Sequence, residues 1–219
     1  MKYLINLILL FLLIPTVNAW KWTTHENIIE YVYYNLPLEK QQELNLTKLK
    51  EGSIIPDRDF RDTRKHSLPK SLEEAEKWLN NDSDLSLNIG IASHYISDSF
   101  VAPHNIAGED YDDHAKYEGQ VKYYYPNSDC KDYGYRLEDL KIASKNSKNW
   151  NLWLKTKNKS VPEKEVEEST KFLFSIILNK LNTTCIEKTK IEEIPYFNRK
   201  KLIISSLILL IGLYLIKKF

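Results

Sequence analysis

His94 and Asp98 stand four residues apart, and so do His114 and Glu118. Imidazole and carboxylate at that interval share a face when the chain is helical, one turn apart. A third histidine, His104, lies between the pairs, just past Pro103, which breaks the first of these helices. The chain has five histidines, and the remaining two, His25 and His66, precede the pairs. One such pair alone is commonplace on a helix surface. Two pairs flanking a further histidine are hard to explain by packing, and the donor set suits a borderline ion such as zinc.

The rest of the central region also reads as helical. Thr24 is placed to cap a helix through His25, Ile28, Ile29, Tyr31, Val32 and Leu36. Ser71-Leu72-Glu73-Glu74 has capping-box spacing and leads into Ala75 and Trp78. Residues 85–100 place Leu87, Ile91, Tyr95 and Ile96 at helical intervals. Residues 111–124 and 137–154 predict two further helices. Pro162 suits the first position of a last one, continued by Val166, Phe172, Phe174, Ile177 and Leu181. Glycine is scarce, at 6 residues, and alternating runs are few, which argues against a turn-rich β fold. The expectation is an all-α chain with one compact multi-helix domain.

Both ends are apolar. Lys2 is followed by an apolar run to Ile14, then Pro15 and the small-residue site Val17-Asn18-Ala19. That order is a secretory signal over residues 1–19, with cleavage making Trp20 the first mature residue. At the other end, residues 202–216 are apolar except for Ser205, Ser206 and Gly212, and lysines stand on both sides. The stretch is shorter than the roughly 20 residues that span a bilayer, a mismatch that flanking lysines and local thinning absorb. It predicts a transmembrane anchor, after a charged linker over residues 187–201 and a domain over 20–186. Such a protein is exported and held at the outer face of the cell membrane. Acceptor patterns at Asn45, Asn81, Asn158 and Asn182 agree with an outside location. Cys130 and Cys185 are the two cysteines, and in that compartment a disulfide is open to them. The net charge of +1 gives no sign of a nucleic-acid partner.

Trp20, His25, Gly52-Ser53-Ile54-Ile55-Pro56-Asp57, His66, His94-Tyr95-Ile96-Ser97-Asp98, Pro103-His104 and His114-Ala115-Lys116-Tyr117-Glu118 occur in an order that resembles the zinc-dependent phospholipases C. That superfamily also includes secreted single-strand-specific nucleases. The resemblance covers about residues 20–118. It implies a cleft with three zinc ions. Asp57, His66, His94 and Asp98 would hold the first ion, and His104, His114 and Glu118 the second. The amino group and carbonyl of Trp20, with His25 and Asp98, would hold the third. It also implies that Asp57 is the catalytic carboxylate. The interval from Asp57 to His66 is short for the family, and the residues that choline-binding members use for their headgroup have no counterpart here. The charged run that fills it, Arg58 to Lys65, reads either as a solvated loop or as a basic rim for phosphate or an anionic headgroup.

The expected activity is a phosphodiester hydrolase of phospholipase C type, with phospholipid and membrane as partners. A secreted nuclease is the alternative. It needs aromatic platforms for bases, for which Tyr123, Tyr124, Tyr125, Tyr133, Tyr135 and Trp150 are the available residues. A non-catalytic surface zinc domain fits less well, because structural zinc sites favour closed, cysteine-rich sets.

Overall fold

The computed structural model describes residues 20–145 and 147–185. These residues fall in one compact unit, and no strand occurs among them. The all-α expectation therefore holds for the described residues. The signal segment 1–19, the linker 187–201 and the anchor 202–216 lie outside them. Among the described residues no helix is long and apolar enough to cross a membrane.

The centre of the fold is a helix that the residue pattern anticipates, here α5, Leu85–Ser99. Asp84 caps it, its carboxylate accepting from the Leu87 amide. Every residue from Ser86 to Ser99 except Leu87 is buried, so α5 has no solvated face. Around it pack α1 (Trp22–Asn35), α3 (Leu46–Ile55), α4 (Lys70–Leu79) and α9 (Ser160–Lys180), with the short α2 (Leu38–Glu43) preceding α3. Two further helices are α6 (Tyr111–Gly119) and α8 (Ser147–Thr156), with the single turn α7 (Leu140–Ala143) between them in sequence, and α8 packs on the 3₁₀ turn Ala102–Asn105 and on α9.

Helix α3 is absent from the reading of the sequence. It is capped by Asn45, which accepts from the Lys48 amide, yet it buries only Leu49, Gly52 and Ser53. Its contact with α5 is made backbone to backbone. A Cβ on Gly52 would meet the Leu87 carbonyl at 2.3 Å, and one on Gly90 the Leu49 carbonyl at 2.3 Å. Close approach of two helices replaces an apolar stripe, and a helical glycine reads as a breaker in sequence. Past Ile55 the chain continues through Pro56 into one wide turn, Pro56–Phe60, a geometry that accommodates an extra residue per turn.

Several expected boundaries move, each for a local reason. Thr24 does not cap α1, which begins at Trp22; its hydroxyl instead donates to the Val121 carbonyl, 97 residues away. Ser71 lies inside α4 and accepts from the Ser99 hydroxyl in the core, so its spacing to Glu74 is not a capping box. The helix from Tyr111 stops at Gly119, where the chain turns to meet α1 and α8, with Gln120 accepting from the Trp153 indole. Residues 137–154 divide into a 3₁₀ turn (Leu137–Asp139), α7 and α8, with Ser144 ending α7. Pro162 is the third residue of α9 rather than the first.

Cys130 and Cys185 form a disulfide, tying the long connection after α6 to the residues that follow α9. Glu167 on α9 fastens the same connection, accepting from the Tyr124 hydroxyl, the Asn127 amide and the Ser128 hydroxyl.

The α3–α5 contact yields the first prediction. Gly52→Ala and Gly90→Ala should each cost about 2 kcal/mol or more, because backbone rather than a flexible side chain must yield. That corresponds to a Tm lowered by roughly 4–8 °C. Gly119→Ala, whose Cβ would meet nothing within 4 Å, should leave Tm unchanged or raise it. Thermal unfolding by circular dichroism checks the contrast, and equal Tm for all three variants would contradict the packing account.

Candidate metal centre

Four separate stretches of chain bring titratable groups to one buried place. α1 supplies His25, the wide turn Asp57, the loop before α4 His66, and α5 His94 and Asp98. Beside them, the 3₁₀ turn Ala102–Asn105 supplies His104, and α6 supplies His114 and Glu118. His25, His66, His94, Asp98 and Glu118 are at most 2% exposed. The pairs seen in the sequence do share their helix faces. His94 Nε2 is 3.3 Å from Asp98 Oδ2, and His114 Nε2 is 2.8 Å from Glu118 Oε1.

Asp98 is the hub. Its Oδ1 lies 3.2 Å from His25 Nε2, and its Oδ2 lies 2.8 Å from His66 Nδ1 as well as near His94. Asp57 Oδ1 stands 3.7 Å from both His66 Nδ1 and His94 Nε2. In the second group His104 Nε2 is 3.2 Å from Glu118 Oε1. The two groups touch, since the His104 ring nitrogen Nδ1 meets the Asp98 carbonyl at 3.1 Å. Sets that could hold an ion are His25 with Asp57 and His94; His66 with His94 and Asp98; and His104 with His114 and Glu118.

Outer partners aim the rings. His94 Nδ1 faces the Ser53 carbonyl at 2.8 Å and His104 Nδ1 the Asp98 carbonyl. A carbonyl only accepts, so both Nδ1 atoms carry the proton. His25 Nδ1 pairs with the Ser97 hydroxyl at 2.9 Å, and His114 Nδ1 with Glu109 at 3.2 Å. Glu109 and Asp62, 3.4 Å from His66 Nε2, are the neighbours that sequence reasoning missed. Glu109 stands five residues before His114, and Asp62, although four residues before His66, lies in a run of charges that reads as loop rather than helix. Trp20 is fully buried with its ring 6.0 Å from that of His25, and its indole Nε1 has no hydrogen-bond partner.

The electrostatics show what the site lacks. His94 is held in its neutral form, first by burial and then by the neighbouring His25. With its proton on Nδ1, its Nε2 presents a lone pair to Asp98 Oδ2. Burial opposes charge on Asp98, but the imidazoles of His94, His25, His104 and His66 outweigh it, and the carboxyl stays ionised well below its usual range. An imidazole lone pair and a carboxylate oxygen therefore face each other at 3.3 Å with no hydrogen between them. His25 Nε2, His94 Nε2, both Asp98 oxygens, Asp57 Oδ2 and Glu118 Oε2 are buried without a hydrogen-bond partner. Groups of this kind are costly to bury unpaired. Cations held in these sets would give such atoms partners, and the mixture of imidazole and carboxylate fits zinc.

Residues 24–183 match the family described as zinc dependent phospholipase C. No match to a curated protein or to a solved structure accompanies it. The match covers most of the chain, and the protein belongs to this family of zinc-dependent hydrolases of phosphodiester bonds.

Metal removal gives the second prediction. An ion that binds the folded state at a hundredfold above its Kd adds about 2.7 kcal/mol of stability. Chelation should therefore lower Tm by roughly 5–10 °C per ion lost. Zinc should restore it, whereas magnesium, which prefers oxygen donors in an octahedron, should not. A Tm indifferent to a strong chelator would contradict a metal-dependent core.

Proposed function

We propose that this member of the family is an exported phospholipase C-type enzyme. In this reading it cleaves phospholipid headgroups at a membrane surface with three zinc ions. The observation that carries it is the set of buried, unpartnered nitrogen and carboxylate atoms converging around Asp98 and Glu118. Asp57, His66, His94 and Asp98 would hold one ion, with Asp98 shared. His104, His114 and Glu118 would hold the second. His25 and Asp98, whose atoms lie 3.2 Å apart, would hold the third with the amino group of Trp20 once residues 1–19 are removed. Zinc in such a cluster supplies Lewis acidity, polarising phosphoryl oxygens and making a bound water acidic.

The protein's own residues supply the rest. Asp57 is the catalytic carboxylate of this scheme. Without an ion, burial, eased by His94 and His66, pushes its carboxyl up to about 6, and cations held beside it would keep it ionised, the form that accepts a proton. Its Oδ2 is the oxygen without a partner and is the atom assigned to take the proton of the attacking water. As that water adds to phosphorus, the bond from phosphorus to the lipid oxygen breaks, and the departing oxygen takes up a proton from solvent. The low exposure of the cluster keeps bulk water from screening these interactions.

Two features favour lipid over single-stranded nucleic acid. Three of the six aromatic residues that would stack bases are used for packing, although Tyr123 and Tyr125 are exposed. Trp150 is buried between Trp153 and Tyr117, Tyr135 stacks on Phe172, and the Tyr124 hydroxyl is held by Glu167. Next to Asp57, in contrast, half-exposed Phe60 stacks on Trp78, Lys77 lies over the same indole, and Arg61 and Arg64 are exposed. Exposed aromatic surface ringed by cations suits a phospholipid interface.

The test compares release of phosphorylated headgroup from phospholipid vesicles with cleavage of single-stranded DNA by the purified zinc-loaded protein. Headgroup release is expected, and DNA cleavage without it would favour the nuclease. Asp57→Asn should lower headgroup release by roughly a hundredfold or more while the helical spectrum is unchanged. Activity within about threefold of the parent would remove Asp57 from the catalytic role, since a general base contributes more than that.

A further inference from the structure

Four of the five histidines have a ring nitrogen steadied by a backbone carbonyl, a helix hydroxyl or a carboxylate beside their own helix. His66 differs, because it sits on a loop between the 3₁₀ turn Thr63–Lys65 and α4. Its Nδ1 faces the cluster, 2.8 Å from Asp98 Oδ2, and its Nε2 points the other way. There Asp62 Oδ1 stands 3.4 Å away, and both atoms are buried without a hydrogen-bond partner.

Asp62 is itself fixed from the far side. Its Oδ2 accepts from the Tyr95 hydroxyl at 2.8 Å and lies 3.4 Å from Lys65 Nζ. Lys65 is in turn 2.7 Å from Glu74 on α4. Tyr95 follows His94 directly on α5 and is fully buried. The carboxylate thus bridges the loop that carries His66 to the helix that carries His94 and Asp98. A carboxylate opposite Nε2 favours the ring form with the proton on Nε2, which leaves the Nδ1 lone pair directed at the cluster.

We propose that Asp62, clamped by Tyr95, is a positioning residue that holds the His66 ring with Nδ1 facing the ion shared with His94 and Asp98. The assignment rests on the zinc reading given above. Asp62 touches neither substrate nor reacting atoms, and its effect passes through His66. Its place in the charged run is therefore not that of a solvated residue, whereas its neighbours Arg61 and Arg64 are exposed.

The experiment follows zinc content per chain as a competing chelator is raised, for the full zinc-loaded protein and its variants. Asp62→Ala should weaken retention of one ion by about 10- to 100-fold, with the other ions held as in the parent. Asp62→Asn, which keeps an acceptor oxygen, should lose less. Tyr95→Phe removes only the clamping hydroxyl and should weaken the same ion by less than Asp62→Ala does. Nitrogen chemical shifts of the His66 ring in the zinc-loaded protein should show Nε2 protonated in the parent. They should also show a mixture of ring forms in Asp62→Ala. Where Asp62→Ala does not fold, Tyr95→Phe decides alone.

Chelator curves for Asp62→Ala and Tyr95→Phe within twofold of the parent would overturn the proposal. So would a uniform loss of all ions together, which marks a merely structural role. His66→Ala separates this failure from failure of the zinc reading. Loss of one ion in His66→Ala with none in Asp62→Ala refutes only the positioning role. Full zinc content in His66→Ala refutes the assignment of His66 as a ligand and the positioning role with it.

Discussion

The cluster depends on one buried charge. Asp98 is fully enclosed at the end of α5, with imidazoles approaching both of its oxygens and His104 on its carbonyl. A lone carboxylate in such a place is strongly disfavoured, and it depends on the imidazoles around it, or on a cation, for compensation. The surrounding architecture follows from supplying compensation. α5 is buried on every side so that its end can lie inside the protein. α3 comes within backbone contact of it through Gly52 and Gly90, which puts the Ser53 carbonyl against His94 and sends the chain onward to Asp57. α1 stacks His25 on His94 with ring centres 4.1 Å apart.

The arrangement differs from a metal staple. A structural zinc site is typically closed by four protein ligands, often cysteine, whereas here both cysteines are joined to each other well away from the cluster in sequence. The donors are imidazole and carboxylate, drawn from several elements, and the second group, His104 with His114 and Glu118, stands at the more exposed side. That asymmetry leaves the group around Asp98 the more deeply buried of the two. The wide turn at Pro56–Phe60 serves both sides, with Asp57 directed into the cluster and half-exposed Phe60 directed outward onto Trp78.

Much of this was legible in the sequence because its signals are local. The interval of four between His94 and Asp98, and between His114 and Glu118, translates directly into shared helix faces. The apolar pattern of residues 85–100 fixes α5 to within a residue. What escaped depends on distant partners. Thr24 looks like a cap but donates to Val121, and Ser71 looks like one but pairs with Ser99. α3 escaped because a helix that packs through glycine has no apolar stripe to display. Asp62 escaped because its interval of four to His66 falls in a run that reads as loop, and only the fold brings Tyr95 to its other oxygen.

Under the proposed function, the unpartnered atoms around Asp98 and Glu118 would line a zinc cluster whose last ligand would be a free amino group at Trp20. Element analysis of the purified protein beginning at Trp20 tests this most directly. Close to three zinc ions per chain is the result that the account predicts, with about one fewer when a methionine precedes Trp20, because a peptide nitrogen has no lone pair to offer. One ion or none in the protein beginning at Trp20, or identical zinc content with and without the added residue, would contradict it.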